Sequence, residues 1–166
     1  MLDVAAFTVL AHGAMENFIE GLALWALDRV QHNWEMKQRA SRSTAALLLH
    51  STVPNINFAT STISVYDTLR QALNTAKSEK SIAINENNGV APKHLRELLC
   101  PRGIDVPNNS MLLASLNTLV TLRHDWAHQN RFGAKYTKTA VDLQKIAADC
   151  VLIAEALCAN AVALHL

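Results

Sequence analysis

Apolar positions along the chain recur at the three-to-four spacing of an α-helix and rarely alternate as they would in a strand. Over residues 3–34, Ala6, Val9, Leu10, Ala14, Phe18, Leu22, Trp25 and Val30 keep that spacing, which predicts one long helix. Residues 37–49 continue as a second helix, basic first and apolar last. The stretch 51–59, with Pro54, reads as a break. Residues 60–78 predict a third helix with Ile63, Val65, Tyr66, Leu69 and Leu73 as its apolar positions. The composition then shifts. Residues 81–110 hold three of the four prolines, two of the five glycines and five asparagines. They read as a loop enclosing a short helix, 92–100, with proline in its first turn and Gly103 and Pro107 closing it. Asn109 or Ser110 caps a fourth long helix that runs to about His128, and Gly133 marks its exit. Thr137 or Thr139 starts a last helix that continues to the end of the chain.

The expected fold is therefore all-α. It is a four- to five-helix up-and-down bundle with a short extra helix in the 81–110 loop, in one domain spanning residues 1–166. Composition agrees: 50% of residues are hydrophobic, with 25 alanines and 23 leucines. That mix is too apolar for a disordered chain and too poor in β-branched and aromatic residues for a β-sandwich. The 15 basic against 14 acidic residues give a formal charge of +1, so the total charge carries no nucleic-acid signal. Cys150 and Cys158, eight apart on a helical stretch, read as buried thiols, which with Cys100 make an odd number that fits a reducing, cytoplasmic compartment. No basic segment follows Met1, so no signal peptide is expected. The apolar tail 150–166 is shorter than the roughly 20 residues a membrane span needs. It reads as a buried core helix, and no membrane association is expected. Nearly every helix is more apolar than a solvated surface helix, which points to a two-fold homodimer.

Candidate chemistry concentrates in LNTLVTLRHDWAHQN, residues 116–130. On a helix, Leu116, Leu119, Val120, Arg123, Trp126 and Ala127 share one stripe, and Arg123 is its only charge. A guanidinium on an apolar stripe is costly unless it has a partner or faces a cleft. His124 and His128 share a second face at i,i+4, and His128 lies about 140° around the helix from Arg123. An arginine fork holds phosphate oxygens, and a histidine exchanges protons near neutral pH. Together they suffice for metal-free RNA cleavage: His128 takes the proton of a 2′-hydroxyl, which attacks the neighbouring phosphate, while Arg123 stabilises the developing charge.

The spacing of RHDWAH, an arginine, four residues and a histidine late in a helix, resembles the signature of the HEPN superfamily of small all-helical ribonucleases. The first-helix stretch TVLAHGAMENFIEGLALWAL resembles the opening helix of its RiboL-PSP-HEPN and MAE-type branches. The order of parts matches too: a helical hairpin, a loop with a short helix ending in PRGID, the motif helix and a final long helix. The resemblance implies a domain that pairs so that both arginines and both histidines line one cleft. It also implies metal-independent cleavage that leaves a cyclic phosphate and a 5′-hydroxyl, often in a toxin or antiphage effector restrained by a cognate antitoxin or regulatory protein. By position, Arg123 and His128 match the motif pair. The family usually carries a polar residue, often asparagine, after the arginine; here it is His124, which leaves open which histidine is the base.

Supporting candidates are His124, Asp125 within the motif, and Glu16. Glu16 lies on a first-helix stripe with Val9, His12, Ile19, Ala23 and Leu27, where it could aim the Arg123 guanidinium. The alternative is a plain His12–Glu16 pair at i,i+4. Arg131, Lys135 and Lys138, just past the motif, are weak candidates for RNA phosphate contacts. A second basic stretch, Arg29, His32, Lys37, Arg39 and Arg42, reads as a solvated face, and Trp126 reads as core rather than as a base-stacking platform. The HxxxH of His124 and His128 lacks a third ligand, so no metal and no cofactor are expected. The favoured reading is an endoribonuclease acting on RNA; the competing one is a catalytically silent helical module that dimerises or binds a partner protein.

Overall fold

The structure, a computed structural model, describes residues 2–52, 62–87, 89–128 and 138–165, with side chains described for 4–52, 62–87, 89–125 and 138–164. The described residues form six α-helices and no strand: α1 (Leu2–Lys37), α2 (Arg42–Leu49), α3 (Val65–Asn85), α4 (Pro92–Leu99), α5 (Ser110–His128) and α6 (Ala140–His165). One turn of 3-10 helix, Cys100–Arg102, follows α4. The all-α bundle read from the sequence is what the chain adopts.

Helix α1 is the axis of the molecule. Its 36 residues extend about 54 Å, and it packs against α3, α4, α5 and α6. Its buried stripe is Thr8, His12, Met15, Ile19, Ala23, Leu27, Val30 and Trp34. This differs from the stripe expected at Val9 and Leu10, which are 52% and 72% exposed. The helix is apolar on more than one side, so periodicity alone does not say which side faces inward.

The boundaries shift for local reasons. The second helix does not begin at Lys37, because Gln38 takes a left-handed backbone (φ 51) and ends α1. Ser41 then restarts the helix with a capping box shared with Thr44. The third helix starts later than expected because Ser64 caps it, accepting from the Asp67 N–H at 3.1 Å. It also runs through Asn85 into the stretch expected to be loop, with Ile84 buried, and Ile63 and Val65 are exposed rather than core. Residues 53–61, including Pro54, lie outside the described residues.

The 100–105 segment fastens the small helices. Gly103 has a left-handed backbone (φ 78) that favours glycine, and a Cβ there would press on the Ser43 Cα at 3.1 Å. Arg102 is fully buried and donates to the backbone carbonyls of Leu98 and Lys80. Burial lowers its pKa to about 10. Arg42 at the start of α2 holds Asp105 with two hydrogen bonds of 2.8 and 3.0 Å.

Two apolar clusters fill the bundle. The larger joins α1 to α3, α4, α5 and α6 through residues such as Ile19, Leu95, Leu116 and Leu157. The smaller joins Leu119 and Leu122 of α5 to Leu143 and Ile146 of α6, with Val4, Phe7 and Ala11 of α1 packed against it. Helix α6 is not the buried core helix its composition predicts. Ile153, Leu157 and Ala161 are buried, but Val151, Leu152 and Val162 are about half exposed. Residues 140–164 are long and apolar enough to cross a membrane by length and composition, and 22% of the most apolar window is buried. Cys158 is exposed, contrary to its reading as a buried thiol. Cys150 is partly buried, and burial pushes its thiol up to about 11, so it stays protonated.

Candidate active site

Helix α5 is built to present Arg123. Asn109 starts it, its side-chain oxygen accepting from the Met111 and Leu112 N–H groups at 3.0 and 3.3 Å. Leu113, Leu116, Leu119 and Leu122 anchor its inner face, and the Ser115 hydroxyl donates to the Asp149 carboxylate of α6. Arg123 follows Leu119 by one turn and is half-buried. It sits at the rim of the leucine stripe rather than at its centre.

The facing stretch of α1 is polar where the rest of its inner stripe is apolar. Thr8 is fully buried and returns its hydroxyl to the Val4 carbonyl at 2.8 Å. One turn on, His12 is 4% exposed. Its Nδ1 lies 3.8 Å from Oε2 of Glu16, whose side chain is 25% exposed. Burial lowers the His12 pKa; the Glu16 carboxylate partly opposes this, and the positive charge of Arg123 adds to it. His12 is therefore neutral at pH 7. The Arg123 charge acts at His12 across the α1–α5 contact. One end of the bundle thus gathers a carboxylate, a neutral imidazole and a guanidinium.

Of the residues picked from sequence, Glu16 and Arg123 come to this end of the molecule. Glu16 makes the i,i+4 contact with His12. His124 is exposed, and both it and half-buried Asp125 have interaction partners. Helix α5 extends through His128, but the His128 and Trp126 side chains lie outside the described residues, as do Arg131 and Lys135. Lys138 is exposed beside the start of α6, where hydrogen bonds from the Thr139 N–H and hydroxyl hold the Asp142 carboxyl below its usual range and the Lys138 charge adds a smaller effect. The other basic stretch is solvated: Arg29 lies over the Trp25 ring at 5.6 Å and Arg42 is taken by Asp105. Sequence reasoning gave His12 no role of its own. The available signal was a histidine inside an otherwise apolar stripe, and its spacing from Glu16 made it read as an ordinary pair.

Chemically, this arrangement can bind and neutralise an anion at Arg123 while a histidine on the same helix exchanges protons. Among the described residues no group of three His, Cys, Asp or Glu side chains is placed to hold a metal ion. A family model described as RiboL-PSP-HEPN matches residues 4–159. No curated protein and no solved structure matches the chain.

Proposed function

From the chain's membership of the RiboL-PSP-HEPN family, we propose that it is a metal-independent endoribonuclease that cleaves by attack of the RNA's own 2′-hydroxyl. HEPN domains are ribonuclease-type modules, although some members are inactive. The observation that carries the reading is Arg123, half-buried late in a leucine-lined helix, five residues ahead of His128 and with its charge reaching His12 of α1.

In this mechanism His128 removes the 2′-hydroxyl proton. The oxygen attacks phosphorus and the bond to the 5′-oxygen breaks. That oxygen leaves with a proton returned by the imidazolium, giving a cyclic phosphate and a 5′-hydroxyl. Arg123 binds the non-bridging oxygens, whose charge grows in the transition state. His124 and Asp125 follow the arginine and support the same cleft, while Lys138, Arg131 and Lys135 supply phosphate contacts to the RNA. The active form is a homodimer with the two motif helices lining one cleft. A second copy would cover the exposed apolar residues of α1 and α6. The cellular role that fits is a cytoplasmic toxin or defence effector restrained by a cognate protein.

The test is to incubate purified protein with RNA, with and without EDTA, and to examine the product ends. Cyclic-phosphate ends that persist in EDTA and vanish in Arg123→Ala and His128→Ala are expected. Cleavage that EDTA abolishes would overturn the metal-free mechanism. Cleavage retained in both variants would remove the motif from the chemistry, and no cleavage of any RNA would favour the silent binding module.

A further inference from the structure

We propose that the cavity between the opening turns of α1 and α6 is a subsite for one base of the RNA substrate, with Phe7 as its aromatic wall and Gln144 at its mouth. The proposal deepens the ribonuclease reading and rests on it for its cleavage arm.

The cavity holds about 310 Å³ and is lined by Val4, Phe7, Ala140, Leu143 and Gln144. Helical spacing builds it. Val4 and Phe7 are neighbours at i,i+3 on α1, and Ala140 has Leu143 and Gln144 at i,i+3 and i,i+4 on α6, so each helix turns one face to the opening. Leu143 is buried and closes the floor, Phe7 is half-buried, and Gln144 is exposed. The volume falls at the lower end of the roughly 300–1,000 Å³ typical of small-ligand sites, which suits one flat ring system. An unstacked base asks for what this slot offers: aromatic and apolar surface for its faces and a polar side chain for its edge. The Gln144 amide both donates and accepts, so it meets the edge of any base.

Position ties the cavity to the motif. Leu143 belongs to one apolar cluster with Leu119 and Leu122 of α5, and Val4 and Phe7 pack against that cluster. Arg123 follows Leu122 directly. Packed helices lie about 8–10 Å apart, so a strand whose phosphate is held at Arg123 delivers a neighbouring base to the cavity. The charge at this end suits the strand as well. Lys138 lies two residues before α6 and Lys145 follows Gln144, and both are exposed. The carboxylate of Asp142 is turned onto the helix start, where it accepts from the Thr139 N–H and hydroxyl at 2.8 and 2.9 Å. A second copy or an apolar peptide would use the walls but not the lysines, and single-stranded RNA uses both.

The test measures binding to the full chain by fluorescence anisotropy. The probes are single-stranded hexanucleotides with 2′-O-methyl groups, which lack the attacking hydroxyl and report binding without cleavage. Phe7→Leu keeps the apolar floor and removes the aromatic ring, and is expected to weaken binding about tenfold. Gln144→Ala alters an exposed side chain and should weaken it about fivefold. Replacing one nucleotide at a time by an abasic one should cost about tenfold at one position, and there the loss should not add to that of Phe7→Leu. Losses that add at every position, or variants that bind as the wild type does, overturn the proposal. Circular dichroism checks that Phe7→Leu is folded, and Gln144→Ala decides the matter if it is not. A variant that turns monomeric in light scattering while keeping its RNA affinity assigns the cavity to a second copy and overturns the base subsite. The two readings fail differently. A wild type that binds the hexanucleotides but cuts no RNA ends the ribonuclease reading, and the abasic scan still decides the subsite. RNA cut and bound equally well by wild type and both variants ends the subsite alone, and a wild type that binds no hexanucleotide overturns the subsite outright.

Discussion

Arg123 lies at the rim of the buried leucine stripe of α5, one turn past Leu119 and next to Leu122. A half-buried guanidinium in that place gives up part of its hydration for no packing advantage. The fold would do better with an apolar side chain, which is the usual mark of a residue kept for chemistry. Arg123→Leu is therefore expected to abolish RNA cleavage while leaving the melting temperature unchanged or raising it by about 2–4 °C, the shift for roughly 1 kcal/mol in a chain of this size. A large drop in melting temperature would show that Arg123 is structural. The Arg123 position was legible because a lone charge in a leucine stripe needs only the 3.6 repeat to be seen. His12 was not, because its meaning depends on which face of α1 is buried. That face carries Thr8 and His12 inward and leaves Val9 and Leu10 in solvent, the reverse of what hydrophobicity alone favours.

At the scale of elements, helices were easier to read than their ends. Periodicity sums over many residues, whereas an end turns on one or two. Helix α1 stops because Gln38 adopts a left-handed backbone that no glycine or proline announces. The start of α5 was legible because asparagine is a strong cap, and Asn109 supplies it. That cap bears on function, since α5 carries the motif about four to five turns away. Asn109→Ala should cost about 1 kcal/mol of stability, read as a fall of about 2–4 °C in melting temperature. The kcat for RNA should be unchanged, because Leu116 and Leu119 keep the helix seated between α1 and α6. A fall in kcat at temperatures where the protein is fully folded would show that the cap sets the position of the motif, not merely the stability of the helix.

For the whole molecule, the surplus of apolar residues now has a location. It lies along α1 and α6, where an open groove of about 320 Å³ runs between Ala11, Met15 and Phe18 on one side and Ala147, Val151 and Ala154 on the other. Leu10 is 72% exposed and Val151 56%, flanking this groove on the two helices. A stable dimer needs on the order of 1,000 Å² of buried surface, and two facing helices of 36 and 26 residues offer the length for it. The groove shares Ala11 and Cys150 with the edge of the small cluster of Leu119, Leu122, Leu143 and Ile146, so pairing there would bear directly on the motif helix. A carboxylate at Val151 would be harmless on a monomer, because the side chain already meets water. On a dimer it would be buried twice by symmetry, unpaired and facing its own copy. Val151→Asp is thus expected to convert a dimer to a monomer in light scattering, with the helical content retained and RNA cleavage lost. A Val151→Asp protein that stays dimeric and active would place the interface elsewhere. One that becomes monomeric yet cleaves RNA at the wild-type rate would show that a single chain holds the complete site.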